Sequence, residues 1–355
     1  MAIHFSAERM EKVLEAHTRW WAGTLDRPLV KVVLPDAFQT QKRTPAPCLS
    51  QKSCTQLEWT PEQVIDALDE TLGWQEYLGD AFPFVNFDAF GPGVLAALCD
   101  GAILDNTPGS VWFFPKEEKE LCDIHVRYHP ENPWACRIRD LYRAGAQRWG
   151  GLVVMGMPDL GGVMDVLASL RGTENLLLDL YDCPEEVHRL VLEIEAAWRE
   201  AYADFRQAMG QEMLFSDWSG LLSAKPSYII QCDFSYMISS GMFRTFVLDT
   251  LRRDTECLEN TIYHLDGIGQ LKHLEDICAM ERLKAVQWVY GEGQKGPVHW
   301  LEVYRKIEKA GKQNMIVGNP EAYLETIAHL HGQPYSSHWI PAGQRALAEA
   351  VILAR

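Results

Sequence analysis

The chain has 355 residues, of which 47% are hydrophobic and 23% charged, and this composition excludes a disordered or fibrous protein. Asp and Glu outnumber Lys and Arg by 49 to 33, and the formal charge of −16 argues against a nucleic-acid binder, which needs basic surface. Nine cysteines form no CxxC pair, so we expect reduced thiols and a cytoplasmic protein. No apolar run approaches the length of a membrane span, and the charged N-terminus predicts no export signal.

The first 80 residues are predicted to form an N-terminal extension. An amphipathic helix opens the chain, and a strand candidate follows at 27–35. Residues 36–60 are polar and contain proline, which favours a long surface loop or flap.

Further along the chain, β-rich runs alternate with helical segments such as 183–210 and 296–311. The strand candidates after the extension are 81–91, 151–157, 212–218, 228–234, 261–266, 283–289, 313–319 and 334–340. Such alternation predicts parallel βα units, so we expect α/β architecture with one (β/α)8 TIM barrel domain spanning residues 1–355. Nine candidates exceed the eight strands of a barrel, and the pattern does not say which one is peripheral.

Polar or aromatic residues stand where these predicted strands end. They are Asp159, Asp217, Trp218, Asp233, His264, Asp266, Trp288, Glu292, Asn319 and His338. In a (β/α)8 barrel the carboxyl ends of the strands meet at one mouth, where loops build the active site. Each Asp is about as well explained as a helix cap, but capping accounts less well for the two histidines and the tryptophans.

Several ordered motifs resemble the uroporphyrinogen decarboxylase superfamily. They are "RWWAGTLDRPLVKVVLP", "FGPGVLAALCDG" with "SVWFF", "DLGGVMDVLASLRGTENLLLDLYDCPEEV", "QCDFSYMISSGMFRTFVLDTL", "YHLDGIGQLKHLEDI" and "VQWVYGEG". The superfamily contains the true decarboxylases and the corrinoid- and thiol-dependent methyltransferases. The resemblance implies a (β/α)8 barrel with extra N-terminal elements, in agreement with the strand pattern.

Two departures from the superfamily bear on the reaction. "WWAGTLDRPLVKV" replaces the arginine-bearing segment by which true decarboxylases hold a porphyrinogen, so decarboxylation in the haem pathway is not expected. The zinc methyltransferases carry a His-x-Cys pair and a later Cys, whereas this chain has His264-x-Asp266 and no cysteine after Cys278. His338 lies roughly where the resemblance places the later ligand.

His264 and Asp266 are two residues apart on one predicted strand, so their side chains project to the same side. With His338 they would suit a divalent metal, Zn²⁺ first, with Mn²⁺ or Fe²⁺ as alternatives. The pair also fits a metal-free site in which Asp266 orients His264 as a general acid or base, or a purely structural pair.

Other candidates have a structural interpretation beside the functional one. Asp233 is predicted to be catalytic, as a further ligand or a base, although it suits a helix cap equally well. The predicted substrate-binding residues are Asp159, Asp217, Trp218, Trp288, Glu292 and Arg171. The tryptophans would line an aromatic pocket or belong to the core, and Arg171 would hold an anion or form a salt bridge.

The resemblance and these residues together predict a metal-dependent methyltransferase. Its substrate would be a small methylated or methoxylated compound, and a corrinoid would be supplied only by a partner protein. A non-porphyrin decarboxylase or lyase that uses His264 and the Asp residues is the alternative, and a non-catalytic ligand-binding relative is a third. We expect a monomer or homodimer.

Overall fold

The computed structural model describes residues 2–40 and 49–354, and helices alternate with short strands along most of them. The strands in chain order are β1 (Leu29–Leu34), β2 (Glu76–Gly79), β3 (Phe84–Val85), β4 (Ala102–Asp105), β5 (Trp112–Pro115), β6 (Val154–Met155), β7 (Ser227–Gln231), β8 (Asn260–Asp266), β9 (Ala285–Val289), β10 (Gln313–Ile316) and β11 (Tyr335–Trp339). The α-helices are α1 (Ala7–Trp21), α2 (Pro61–Gly73), α3 (Leu95–Leu98), α4 (Pro133–Trp149), α5 (Val163–Arg171), α6 (Thr173–Asp182), α7 (Pro184–Met209), α8 (Ser240–Phe246), α9 (Leu248–Cys257), α10 (Leu274–Cys278), α11 (Leu301–Lys309), α12 (Pro320–Ile327) and α13 (Arg345–Leu353).

Within the described residues, seven strands form the central sheet, in the order β2-β1-β11-β10-β9-β8-β7. Every neighbouring pair is parallel except β1 with β2. Helices connect the successive parallel strands from β7 to β11, which confirms the predicted α/β alternation.

Backbone pairing among the described residues does not close into a ring, so the predicted closed barrel is not confirmed. Strands β3 and β6 form a separate parallel pair, and a single bridge joins Met157 to Asp217 beyond β6. A closed barrel would need backbone hydrogen bonds between the segment around Asp217 and strand β7. At this place the Asp217 carboxylate accepts a hydrogen bond from the backbone N–H of Ile229, at 2.9 Å. A side chain therefore takes a position that a strand carbonyl would fill in a closed sheet.

The two faces of the sheet carry different layers. Alternate residues such as Val32, Tyr263 and Val286 pack into a large apolar core with the helices. The opposite set, which includes Leu29, Ile262 and Met315, packs around one end of helix α1. We call the second set the inner face.

Helix α1 covers the amino-terminal half of the inner face. The helix begins after Ser6, whose hydroxyl accepts the N–H of Arg9 at 3.2 Å, a typical N-cap. At its end, Trp20 and Trp21 are buried and donate their indole N–H groups to backbone carbonyls of Gln333 and Leu222. Because the aromatic rings fill that half, the open part of the inner face lies towards the carboxyl ends of the strands.

Several predicted elements differ from the observed ones. The candidate at 212–218 forms only isolated bridges, and those at 81–91 and 151–157 shorten to two-residue strands. Strands β2, β4 and β5 were not predicted; "NTPG" between β4 and β5 is a turn signal that favours the hairpin. Within the predicted flap, residues 49–60 form turns, and 41–48 lie outside the described residues. None of the described helices combines the length and the apolar character needed to cross a membrane.

Candidate metal centre and adjoining pocket

The candidate site lies at the carboxyl ends of β7, β8 and β9. Gln231, His264 and Gln287 stand side by side in one hydrogen-bonded row across these strands. The same row continues through Met315 to Tyr335, both of which pack in the apolar cluster of the inner face. His264 therefore points to the inner face, and Asp266, two residues later, points there as well.

Asp233, His264 and Asp266 converge on one point. Their nearest ligand atoms all lie within 4.8 Å of one another, and Nε2 of His264 is 4.0 Å from Oδ2 of Asp266. The His264 side chain is 13% exposed and the Asp266 side chain 41%, while Asp233 is exposed. The cluster is thus anchored on its imidazole side and open on its carboxylate side, where a ligand has access.

Local backbone geometry brings the two segments together. Gly267 follows Asp266 with a φ of 79°, which only glycine adopts without strain, and turns the chain out of β8. On the neighbouring strand, Asp233 opens a 3-10 helix over Asp233–Met237. The backbone N–H groups of Asp233 and Phe234 donate to the Asp165 carboxylate at 3.0 and 2.7 Å, which holds the start of that helix in place.

Gln287 selects the tautomer of His264. Its side-chain carbonyl oxygen accepts a hydrogen bond from Nδ1, and its amide nitrogen is 3.3 Å from the sulfur of Met315. Because the proton is then on Nδ1, the lone pair of Nε2 is free on the side of Asp266. Such a support of the non-ligating nitrogen is the usual arrangement around metal-binding histidines.

Gln270 supports Asp233 in a similar way. Its amide nitrogen donates to Oδ1 of Asp233 at 3.4 Å, and its carbonyl oxygen accepts the hydroxyl of Tyr263 at 3.2 Å. Neither glutamine is among the functional residues predicted from the sequence. A polar residue inside the apolar run "KAVQWV" was the available signal for Gln287, since a buried amide on a strand needs a partner.

Two further carboxyl groups lie beside the cluster. Burial raises the pKa of Asp159 to about 7, and the nearby Asp233 adds to the rise, while the N–H of Gly161 and His264 oppose it. Burial, and to a smaller extent the nearby Asp233, raises the pKa of Asp165 to about 8. The two backbone N–H groups that donate hydrogen bonds to Asp165 oppose this shift. Burial likewise raises the pKa of Asp266, and His264 opposes this shift. The site therefore resists additional negative charge.

His338 does not join the cluster, contrary to the expected ligand set. It pairs in register with Val32, whose side chain packs on the helix side of the sheet. Its ring is 5.2 Å from that of Tyr323 in α12, and Nε2 is 2.7 Å from the hydroxyl of Ser336. Asp233 takes the third position instead. In the strand "YSSHW" the side that faces the helices carries only the polar Ser336 and His338, so polarity along the strand does not reveal which side faces inward.

The two predicted tryptophans lie on opposite faces. The ring of Trp218 meets His264 edge-on, with centroids 5.0 Å apart, so this tryptophan borders the cluster. Trp288 is fully buried against Trp300 on the helix side, so its placement as a pocket residue is wrong.

Asp217 accepts hydrogen bonds from backbone groups of two segments and is not part of the cluster. It is buried and accepts N–H bonds from Ser219 and Ile229 at 2.8 and 2.9 Å. Near it lies the buried Lys31, which was not among the predicted site residues and which donates to the carbonyl of Gly220. Burial lowers the pKa of Lys31 to about 7, and Asp217 opposes this shift.

Arg171 and Glu292 are also outside the site. Arg171 forms a two-bond ion pair with Asp179, at 2.7 and 3.2 Å, so the salt-bridge interpretation of this residue applies. Glu292 is exposed in the loop after β9 and does not belong to the three-residue cluster.

A cavity of about 570 Å³ adjoins the cluster at Asp233. Its walls are mainly apolar, with Trp112, Phe113 and Phe114 of β5 on one side. Asp165 and Gln231 join Asp233 at its polar end. We call this cavity the aromatic pocket.

Comparison with known proteins gives a match at the level of fold. A methyltransferase from Methanosarcina mazei has a similar solved structure, with a TM-score of 0.53 over 90% of this chain and 95% of that chain. The two sequences are 12% identical, so the likeness concerns the fold alone. No family model and no curated protein matches this sequence.

Proposed function

We propose that this chain is a metal-dependent methyltransferase whose metal is held by Asp233, His264 and Asp266. The observation that carries the proposal is the convergence of one imidazole nitrogen and two carboxylates within 4.8 Å at the carboxyl ends of parallel strands. A nitrogen and two oxygens with an open side are a donor set that suits catalytic zinc, and also Mn²⁺ or Fe²⁺.

A bound ion would act as a Lewis acid that lowers the pKa of an acceptor thiol. The chain's own residues have separate tasks. Gln287 keeps the Nε2 lone pair of His264 available, and Gln270 orients Asp233. Trp218 packs edge-on against the ring of His264 and limits its rotation.

Methyl transfer is proposed because the fold resembles that of a methyltransferase and the motifs resemble the corrinoid- and thiol-dependent branch of the uroporphyrinogen decarboxylase superfamily. That superfamily's eight-stranded layout would also account for the separate β3–β6 pair as part of a barrel with interrupted pairing. In this proposal the corrinoid is carried by a partner protein, and the chain acts as a single domain.

The proposal is tested by metal content and by methyl transfer. Purified protein would be dialysed with Zn²⁺, and the metal would be measured by mass spectrometry for the wild type, His264→Ala, Asp233→Asn and Asp266→Asn. We expect about one ion per chain in the wild type, a loss of most of it in each variant, and transfer from free methylcobalamin to dithiothreitol that stops on chelation. A folded wild type that takes up none of Zn²⁺, Mn²⁺ or Fe²⁺ would contradict the proposal.

The decarboxylase alternative has one observation in its favour. The pKa of Asp159 is raised to about 7 and that of Asp165 to about 8. Both carboxyl groups can therefore carry a proton at neutral pH and donate it to a carbanion. Carbon dioxide release from an aromatic carboxylic acid after complete chelation would favour this alternative over methyl transfer.

A further inference from the structure

The residues that line the aromatic pocket favour a ligand with a positive charge over one with a negative charge. None of the described residues that line it is Lys, Arg or His, whereas two of them, Asp165 and Asp233, are acidic. The rest of the lining is mainly apolar and includes Met237 as well as the β5 aromatic residues. A ligand that enters this pocket therefore meets aromatic walls and a carboxylate end.

The aromatic walls are presented by a hairpin and not by the core. Strands β4 and β5 pair antiparallel, and this pairing fixes the positions of Trp112 and Phe114, which remain 56% and 51% exposed. The indole N–H of Trp112 donates to the hydroxyl of Ser110 at 3.0 Å, so the polar atom of that ring has a partner within the hairpin. The ring face is then available for an apolar or cationic ligand, because the face of an aromatic ring carries negative electrostatic potential.

The carboxylate end is rigid on one side and accessible on the other. Both oxygens of Asp165 are held by backbone N–H groups, at 3.0 and 2.7 Å. Asp233 is exposed, and its side chain is restrained by the 3.4 Å bond from Gln270. No Lys, Arg or His among the described lining residues offsets these two acidic side chains, so this end of the pocket favours a cation over an anion.

We infer that the aromatic pocket binds an organic ammonium ion with an apolar body, its nitrogen at the end formed by Asp165 and Asp233 and its methyl or methylene groups against Trp112 and Phe114. Aromatic rings together with a carboxylate are the usual recognition site for alkylated ammonium groups. A carboxylated, phosphorylated or sulfonated compound lacks a countercharge in this lining.

This inference rests on the proposed function only for the role of the ligand, which would be a methyl donor to the thiol in place of a methylated corrinoid. When a methylated ammonium gives up its methyl group, the N–CH₃ bond breaks and its electron pair stays on nitrogen. The products are a neutral amine and a methylated acceptor, whose new bond is formed by the electron pair of a thiolate. No oxidant or reductant is needed, and the leaving amine needs no proton.

The test uses three probes that share a phenylethyl body and differ in their head group: phenethylammonium, 2-phenylethanol and 3-phenylpropanoate. Calorimetric titration would be performed on metal-free protein and repeated on protein loaded with Zn²⁺. We expect phenethylammonium to bind about tenfold more tightly than the alcohol and the carboxylate to bind most weakly, in line with cation–π and ion-pair strengths in partly desolvated sites. Equal or tighter binding of the carboxylate would overturn the inference.

Variants locate the binding site. Trp112→Ala should weaken phenethylammonium about tenfold, whereas Tyr181→Ala, which removes an exposed aromatic residue outside the pocket lining, should not change its affinity. Asp165→Asn should remove the preference for the ammonium over the alcohol, and the wild-type comparison of the three probes remains decisive if that variant does not fold. Unchanged binding in Trp112→Ala would place the ligand elsewhere and contradict the inference.

Failure of this inference and failure of the proposed function are distinguishable. Probe binding is read on metal-free protein, whereas the proposed function is read from metal uptake and methylcobalamin consumption. A chain that takes up no ion can still select the ammonium probe, and a chain with a full metal site can still fail to select it.

Discussion

Nδ1 of His264 on strand β8 is hydrogen-bonded to the side-chain carbonyl oxygen of Gln287 on the adjacent strand β9. The two residues face each other in register on the inner face of a parallel sheet. This bond directs Nε2 of His264 towards Asp233 and Asp266, so an amide on one strand decides what the histidine on its neighbour can bind.

Replacing Gln287 should weaken metal binding without removing a ligand. In Gln287→Leu the imidazole can rotate and exchange tautomers, and we expect the Zn²⁺ affinity to fall about 10- to 100-fold, as for other supports of metal-bound histidines. Competition with a chromophoric chelator measures this change. Gln231→Leu is the matched control, because Gln231 is the buried neighbour on the other side of His264 in the same row. Equal losses in the two variants would contradict the role of Gln287.

Replacing His338 should leave the metal content unchanged and alter stability. Its imidazole is buried between Ser336 and Tyr323, on the side of the sheet opposite His264. His338→Leu removes one hydrogen bond, so we expect the free energy of unfolding at pH 7 to fall by about 1 kcal/mol. Loss of the ion in this variant would favour the ligand set of His264, Asp266 and His338 that the resemblance to the superfamily implies.

The same variant has a pH signature. Burial lowers the pKa of His338 from 6.5 to about 4, so between these values the unfolded chain binds a proton that the folded chain does not. Stability contributed by the neutral imidazole is therefore present above pH 6.5 and is lost as the pH falls towards 4. The difference between wild type and His338→Leu in urea unfolding should change by about 1.4 kcal/mol per pH unit in this window. A pH-independent difference would contradict the burial of a neutral imidazole.

The buried Lys31 should lower the free energy of unfolding at neutral pH. Burial lowers its pKa from 10.5 to about 7, so the unfolded chain binds the extra proton between these values, and the stability of the wild type rises with pH there. Lys31→Met keeps the length of the side chain and removes the charge. We expect this variant to be the more stable protein at pH 7, with an advantage that shrinks by about 1.4 kcal/mol per pH unit towards pH 10. Urea unfolding at pH 7, 8 and 9 measures the trend, and an advantage that grows with pH would be the contrary result.

Arg171 should matter for stability and not for ligand binding. Its guanidinium pairs with Asp179, and their side chains are 14% and 9% exposed. Arg171→Ala leaves a buried carboxylate without its partner, so we expect a loss of about 3 kcal/mol. Arg252→Ala breaks an exposed pair with Asp249 and should cost less than about 1 kcal/mol. Titration of Arg171→Ala with phenethylammonium should match the wild type, and a weakened affinity would assign this arginine to the binding site after all.

The sequence by itself determined the alternation of strands and helices and the pairing of His264 with Asp266. Both follow from local periodicity, because apolar runs of strand length predict buried strands and residues i and i+2 of a strand share a face. The polar strand ends at 231–233 and 264–266 also follow from the chain alone, since parallel strands place their carboxyl ends at one edge.

Only the tertiary structure decided which third residue completes the cluster. Asp233 and His338 both end strands, but the register of β11 against β1 turns His338 to the helix side, and the 3-10 turn after β7 brings Asp233 to His264. The contact between Gln287 and His264 likewise depends on register between strands that are distant in sequence. Register and facing are set by packing of the whole sheet, so the polarity pattern of a single strand such as β11 cannot report them.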